Sequence, residues 1–449
     1  MEPIKVRLYD TYEGKVRDFI PLNPPEVDIY YCGPTVYNYV HLGNFRPTVT
    51  FDLLTRFLNA IGYQVKCVSN YTDIDDKIIK AALDKHETEK ELSEFYIKAY
   101  EDCLGKLNIL PLYDHPKASE YINKMASFIK DLEDNHTAYQ AGDDVYFRVN
   151  SDPTYGQLSK QNIADLVSGA RIDVNTKKES PLDFALWKMT DDEGIKFDTP
   201  IGKGRPGWHT ECVVMVNSVF KKPLIDIHGG GFDLKFPHHE NEIAQSEAHN
   251  HTRLANYWMH VGFLLTNGVK MSKSLGNSIL AKDVLQRHSG NAVRLFFLST
   301  NYRAPINYTE EALDSFDKVA NRYLSSVRKA TYQLQLKNIK EGQIITSDKE
   351  EFLLALADDL NVANAMTVLD RELKEINTLS MKKDADLERE ADLVKTFTYI
   401  SDILGLKFVF DPLTDEDRVN LQAYEEARVN KDYAKSDELR KVLSAKGIL

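Results

Sequence analysis

Three groups of residues carry side chains and spacings that suit chemistry. In Lys270-Met271-Ser272-Lys273-Ser274-Leu275-Gly276-Asn277 two lysines sit on one short segment with a serine between them. Lysine is a mobile point charge for phosphate, so such a segment can wrap a polyphosphate. Upstream, His41-Leu42-Gly43-Asn44 pairs a histidine with a glycine that lets backbone approach a phosphate, just ahead of a helix whose N-terminus favours anions. The third group is a set of potential metal ligands. His238 and Glu242 are four residues apart after Pro237, so on a helix they share one face. Cys32 and Cys212 add two thiols, and a Cys-Cys-His-Glu set suits zinc. Each group has a plainer reading when taken alone: a solvated Lys/Ser turn, an ordinary strand-to-helix turn, and buried small thiols beside a solvated helix start.

The surrounding pattern says which elements must position these residues. Glu26 to Tyr31 is a short β-type run that ends at Cys32-Gly33-Pro34-Thr35, and a helical pattern follows from Pro47 through Leu58. Tyr63 to Ser69 alternates like a second strand, and Asp75 to Leu83 has helical periodicity. Strand, helix, strand predicts a parallel sheet of nucleotide-binding type. From about Lys117 to Leu186 the pattern changes to one helix and hairpin-like pieces, which reads as an insertion. Leu224 to His228 resumes the strands, with Gly229-Gly230-Gly231 after it and a helix predicted from Pro237 through Glu247. Beyond Asn307 no glycine occurs until Gly342, and helical periodicity dominates to the end. The expected fold class is α/β: a Rossmann-type parallel-sheet catalytic domain with an insertion, then an all-α helical bundle and a small C-terminal unit.

Composition narrows the function classes. The 449 residues are 43% hydrophobic and 28% charged, which suits several globular domains and excludes a disordered or fibrous chain. Lys and Arg number 56 against 68 Asp and Glu, a net charge of −12, so the chain is not a polycationic nucleic-acid coat. No run approaches the roughly 18 apolar residues of a membrane span, and Met1-Glu2-Pro3-Ile4-Lys5 lacks a signal-peptide pattern. A cytoplasmic location, a monomer and no membrane partner are expected. Four scattered cysteines make no disulfide framework; Cys67 and Cys103 read as core thiols.

Together, in this order and on this sheet type, the histidine turn and the lysine segment resemble the HIGH and KMSKS signatures of class I aminoacyl-tRNA synthetases. Tyr31-Cys32-Gly33-Pro34-Thr35-Val36-Tyr37, Asn70-Tyr71-Thr72-Asp73-Ile74-Asp75-Asp76-Lys77, Gly204-Arg205-Pro206-Gly207-Trp208-His209-Thr210-Glu211-Cys212 and Phe236-Pro237-His238-His239-Glu240-Asn241-Glu242 resemble the cysteinyl-tRNA synthetase family within that class. Asn44 stands in place of the second histidine of HIGH, as is common in that family. The resemblance implies activation of L-cysteine by ATP to cysteinyl adenylate, then transfer to tRNA(Cys). It implies one zinc per subunit on Cys32, Cys212, His238 and Glu242, and Mg2+ accompanying ATP. Catalytic roles would fall to His41, Asn44, Lys270 and Lys273. Contacts to ATP would come from His41, Gly43, Asp226, His228, Gly230 and Lys273, and contacts to cysteine from Gly33, Thr72 and Trp208. Arg428 and Asp437 match anticodon-reading positions.

The implied domains are a catalytic first half (1–116), an acceptor-end insertion (117–186), a catalytic second half (187–255), a lysine-loop connecting domain (256–315), a helical bundle (316–405) and a C-terminal anticodon-binding unit (406–449). That last unit ends at Gly447-Ile448-Leu449, where family members usually continue into a short tail. It holds eight Lys/Arg and nine Asp/Glu, so base-edge contacts and stacking would outweigh a basic patch. Rival readings are a ligase joining cysteine to an amino sugar, a non-catalytic tRNA- or metal-binding paralogue, and a zinc hydrolase built on His238 and Glu242. The first has little need for the C-terminal helices, the second leaves a competent set of residues idle, and the third leaves the lysine segment unexplained.

Overall fold

The computed structural model describes residues 4–161, 178–189, 192–272, 275–382 and 384–448. The chain divides into two compact units, one made of Lys5–Arg287 with Tyr302–Tyr308, the other of His288–Asn301 with Thr309–Leu449.

The first unit is built on four parallel strands, β1 (Glu26–Tyr31), β2 (Gln64–Ser69), β3 (Ile225–Gly231) and β4 (Ala255–Val261), in the order β4-β3-β1-β2. Most of β1, β3 and β4 is buried, as expected for parallel strands covered on both faces. Helix α1 (Phe45–Ala60) crosses from β1 to β2. Helix α2 (Trp208–Phe220) precedes β3, and helix α3 (Glu240–Asn250) links β3 to β4. The chain leaves β1 toward β2 on one side and returns to β3 on the other. The carboxyl ends of β1 and β3 therefore flank a topological switch point, where α/β sheets open a crevice. The Cys32 N–H donates to Gly229 O across it (3.0 Å).

Between β2 and β3 lies a five-stranded antiparallel sheet whose order runs Ala138–Ala141, Asp144–Phe147, Phe184–Lys188, Gly202–Pro206, Phe197–Thr199. The sheet extends to Pro206, past the boundary expected at 186, because the Gly- and Lys-rich pieces after Lys188 carry no alternation yet pair with it. The boundary expected at 255 likewise cuts off β4, whose sequence Ala-Asn-Tyr-Trp-Met-His-Val hides its strand character by mixing polar and apolar residues. The one at 315 falls inside the helix Glu310–Leu336. One core joins sheet and insertion, with Tyr30, Val68 and Trp258 clustered with Met125, Ile129 and Trp187.

The second unit is helical. Helices Glu310–Leu336, Thr346–Ala357, Val362–Leu379 and Leu387–Ile403 pack together, and Gly290–Leu298 packs on the first of them. Side chains at their starts explain several boundaries: Thr309, Asn361 and Asp386 each accept a first-turn N–H. Helices Asp415–Val429 and Tyr433–Ala445 form a hairpin whose small core places Leu443 and Ile448 against Tyr332. Among the described residues, no helix is long and apolar enough to cross a membrane.

Candidate metal centre and nucleotide pocket

A cavity of about 410 Å³ opens at the carboxyl ends of the parallel strands. Its walls include seven residues singled out from the sequence: Cys32, Gly33, His41, Gly43, Asn44, Trp208 and Lys270. The His41–Asn44 turn is closed on itself. The His41 N–H donates to Asn44 Oδ1 (3.1 Å) and the Asn44 N–H to His41 O (3.0 Å), so asparagine at this position has a local structural use. Across the cavity Lys270 Nζ lies 3.1 Å from Asp233 Oδ2 and 4.3 Å from the centre of the Phe263 ring. Lys273 lies outside the described residues.

Cys32, which lines the cavity, and the buried Cys212, His238 and Glu242 bring their donor atoms within 4.8 Å of one another. Cys32 Sγ is 3.6 Å from Cys212 Sγ, Cys212 Sγ is 3.6 Å from His238 Nε2, and His238 Nε2 is 3.0 Å from Glu242 Oε1. The helix does not begin at Pro237. His238 sits in a π-helical turn, Lys235–His239, interrupted by extended backbone at Phe236, and regular α-helix starts at Glu240. The i, i+4 pair nevertheless meets across that junction.

Burial alone would push the Glu242 carboxyl up, but the imidazoles of His228 and His238 outweigh it and hold the group well below the usual range. Burial likewise disfavours a charged His238, yet the Glu242 carboxylate and Cys212 raise it. The Cys212 thiol falls to about 6: burial raises it, and a hydrogen bond from Cys32 together with His238 more than reverses that. A buried carboxylate, an ionisable thiol and an imidazole held on one spot form a donor set able to hold a cation, which would displace the imidazole proton on binding. Two sulfurs, one nitrogen and one oxygen suit a zinc ion.

A second combination, Cys32, His228, His239 and Glu242, is equally close. His228 Nε2 lies 2.6 Å from Glu242 Oε2 and its Nδ1 lies 2.9 Å from Tyr30 O, while His239 Nε2 lies 3.3 Å from Cys32 Sγ. His228 therefore sits behind the metal group, fully buried, and does not face the cavity as an ATP contact. Asp226 is displaced further from that expectation. It is the second residue of β3, at the strand's amino end, and its carboxylate accepts the N–H groups of Leu22 (2.6 Å) and Asp28 (2.8 Å). It staples backbone. Gly230 is buried beside the metal group, where a Cβ would come 2.8 Å from Leu234 Cδ1.

Thr72 is buried beneath the cavity. Its Oγ1 donates to Glu211 Oε2 (3.0 Å) and accepts from Asn70 Nδ2 (3.2 Å). Asn70 also accepts the Gly33 N–H (2.9 Å), and at Gly33 a Cβ would fall 1.7 Å from Asn70 O, so that approach requires glycine. Trp208, 39% exposed, stacks on His238 at 4.2 Å between ring centroids and so roofs the metal group. Sequence reasoning overlooked Asn70, His239 and Asp233. Asn70 and His239 stood within the family-like motifs with no role assigned to them. Cys67 and Cys103 are buried and belong to neither donor cluster found among the described residues, and burial raises their thiols to about 12 and about 11. In the second unit Arg428 and Asp437 are exposed on the two arms of the C-terminal hairpin.

Residues 18–318 match the family described as tRNA synthetases class I (C) catalytic domain, and residues 351–409 match the DALR domain. Solved structures with the same fold include a methionyl-tRNA synthetase of Mycobacterium tuberculosis in complex with methionyl-adenylate (TM-score 0.60, 13% identity, covering 84% of this chain and 89% of that one). A LeuRS of Agrobacterium radiobacter K84, in a ternary complex, aligns with TM-score 0.62 at 10% identity over 86% and 85% of the two chains. The fold is thus that of the class I aminoacyl-tRNA synthetases. Two proteins named cysteine–tRNA ligase, from Staphylococcus aureus strains bovine RF122 / ET3-1 and Newman, are each 42% identical over 453 aligned residues, covering 99% of this chain and 97% of the relative. The chain belongs to the cysteine–tRNA ligase family.

Proposed function

We propose that the protein activates L-cysteine with ATP to form cysteinyl adenylate and pyrophosphate, then transfers the cysteinyl group to tRNA(Cys) with release of AMP. The observation that carries this reading is the convergence of the Cys32, Cys212, His238 and Glu242 donors, of which Cys32 lines a cavity that also holds His41, Asn44 and Lys270. Phosphate-binding groups in one cavity with a thiol-selecting donor set suit one substrate bearing a thiol and another bearing a triphosphate.

Catalysis here is positioning and charge stabilisation. The His41–Asn44 turn offers an imidazole, an amide and close backbone to the triphosphate. Lys270 and Lys273 supply positive charge as pyrophosphate departs, and Mg2+ accompanies ATP. Thr72 and Trp208 shape the amino-acid pocket. A zinc ion on the four donors would supply a Lewis acid that favours a thiolate over a serine hydroxyl, a discrimination that pocket shape alone achieves weakly. Arg428 and Asp437 contact the anticodon, and the insertion handles the acceptor end. Cysteine-dependent ATP–pyrophosphate exchange, followed by transfer to tRNA(Cys) in competition with an amino-sugar acceptor, tests the reading. Exchange with cysteine and transfer to tRNA support it; exchange followed by transfer to the sugar alone contradicts it.

A further inference from the structure

The stretches before and after the lysine segment are both fastened beside the histidine turn, each in its own way. At the exit the fastening is main chain: the Leu42 N–H donates to Ile279 O (2.8 Å) and the Ala281 N–H to Val40 O (3.1 Å). At the entrance main chain ties Gly262 and Phe263 to the next segment, the Gly262 N–H donating to Tyr302 O (2.8 Å) and the Ile306 N–H to Phe263 O (3.0 Å), while the tie to the helix of the histidine turn is a side chain. Arg46, in the first turn of α1 and only 1% exposed, donates from Nη1 to Gly262 O (2.8 Å) and Phe263 O (3.1 Å). Gly262 and Phe263 directly follow β4 and line the cavity. They lead into the hairpin Leu264–Thr266 and Val269–Lys270, in which Leu265 pairs with Lys270. The Phe263 ring is the surface over which the Lys270 ammonium rests.

Burying a guanidinium is unfavourable, and burial lowers this one to about 10. Its reach to two carbonyls of another segment gives it a geometric use, since the two hydrogens of one Nη1, held in the rigid guanidinium plane, can each meet an acceptor. We propose that Arg46 is a positioning residue for adenylate formation. It locks Gly262–Phe263 to the helix that begins at the His41–Asn44 turn, so that the turn and Lys270 hold one separation around the triphosphate. This deepens the functional reading given above and rests on it.

A double-mutant cycle of Arg46→Gln and Lys270→Ala, read by single-turnover adenylate formation with the full chain, cysteine and ATP, tests the proposal. Arg46→Gln alone should slow the step roughly 100-fold, the scale of an about 1 Å misplacement, with cysteine binding retained. In the Lys270→Ala background the same change should cost less than about threefold, because its effect passes through that lysine. Equal losses in both backgrounds, or no loss in either, overturn the proposal. Should Arg46→Gln fail to unfold cooperatively, Arg46→Lys is read in the same cycle. A wild-type protein that makes no adenylate would refute the functional reading, whereas additivity in an active enzyme refutes this inference alone.

Discussion

Cys32 Sγ and Cys212 Sγ lie 3.6 Å apart although 180 residues separate them. One follows the first parallel strand, the other lies on the helix that returns the chain to the sheet after the insertion. Their meeting ties the whole of the first unit to one point beside the cavity. A fold that left either residue a few ångströms away would leave the second thiol as an inert core group.

Lys270 faces the cavity from a short hairpin, paired with Asp233 at 3.1 Å. Lys270→Ala should slow adenylate formation by about 100-fold or more while leaving cysteine binding close to normal, because its charge matters most as pyrophosphate leaves. Rapid-quench measurement of adenylate checks this. Formation at wild-type speed would remove Lys270 from the mechanism.

The C-terminal hairpin predicts a separation of functions. Arg428 is exposed at the end of helix Asp415–Val429, in the second unit, whereas every residue lining the cavity lies in the first. Arg428→Ala should therefore weaken aminoacylation of tRNA and leave cysteine-dependent pyrophosphate exchange intact. Equal losses in the two assays would count against an RNA-contacting role.

His288 makes the stability of the helical unit depend on pH. Its Nδ1 lies 2.6 Å from Asp317 Oδ2 and its Nε2 lies 3.0 Å from Glu310 Oε1, so both nitrogens must carry protons to satisfy both carboxylates. Burial opposes the charge, but these two partners raise the folded-state value above the usual one. Stabilisation is then complete below the unfolded value of about 6.5 and fades as pH rises through the folded value. The Tm advantage of wild type over His288→Gln should be largest near pH 6 and shrink toward alkaline pH. A difference independent of pH would show that packing, not charge, sets it.

Much of this was legible in the sequence, for reasons that also mark where reading stopped. The run Glu26 to Tyr31 is apolar enough to declare a buried parallel strand, and β1 occupies the same residues. β4 escaped notice because Asn256 and His260 interrupt the continuous apolar run of a buried parallel strand, while its pairing to β3 is long-range. The four donors were chosen by the family resemblance, since residue types alone leave Cys32 and Cys212 readable as buried small thiols. His228 and His239 joined them only in the folded chain, through Glu242 (2.6 Å) and Cys32 (3.3 Å) respectively. Asp226 misled because a carboxylate near a glycine run suggests a ligand, whereas its partners are two backbone N–H groups that no sequence pattern announces. Arg46 was silent for the same reason, since its acceptors are main-chain carbonyls.

The central claim is that Cys32, Cys212, His238 and Glu242 hold a zinc ion that selects the thiol of cysteine. The most direct measurement is zinc X-ray absorption on the purified active enzyme, with and without L-cysteine, alongside metal analysis. The account predicts about one zinc per chain and two sulfur neighbours, rising to three with cysteine and unchanged with serine. An active enzyme without zinc, or a spectrum indifferent to cysteine in a protein that still rejects serine, would contradict it.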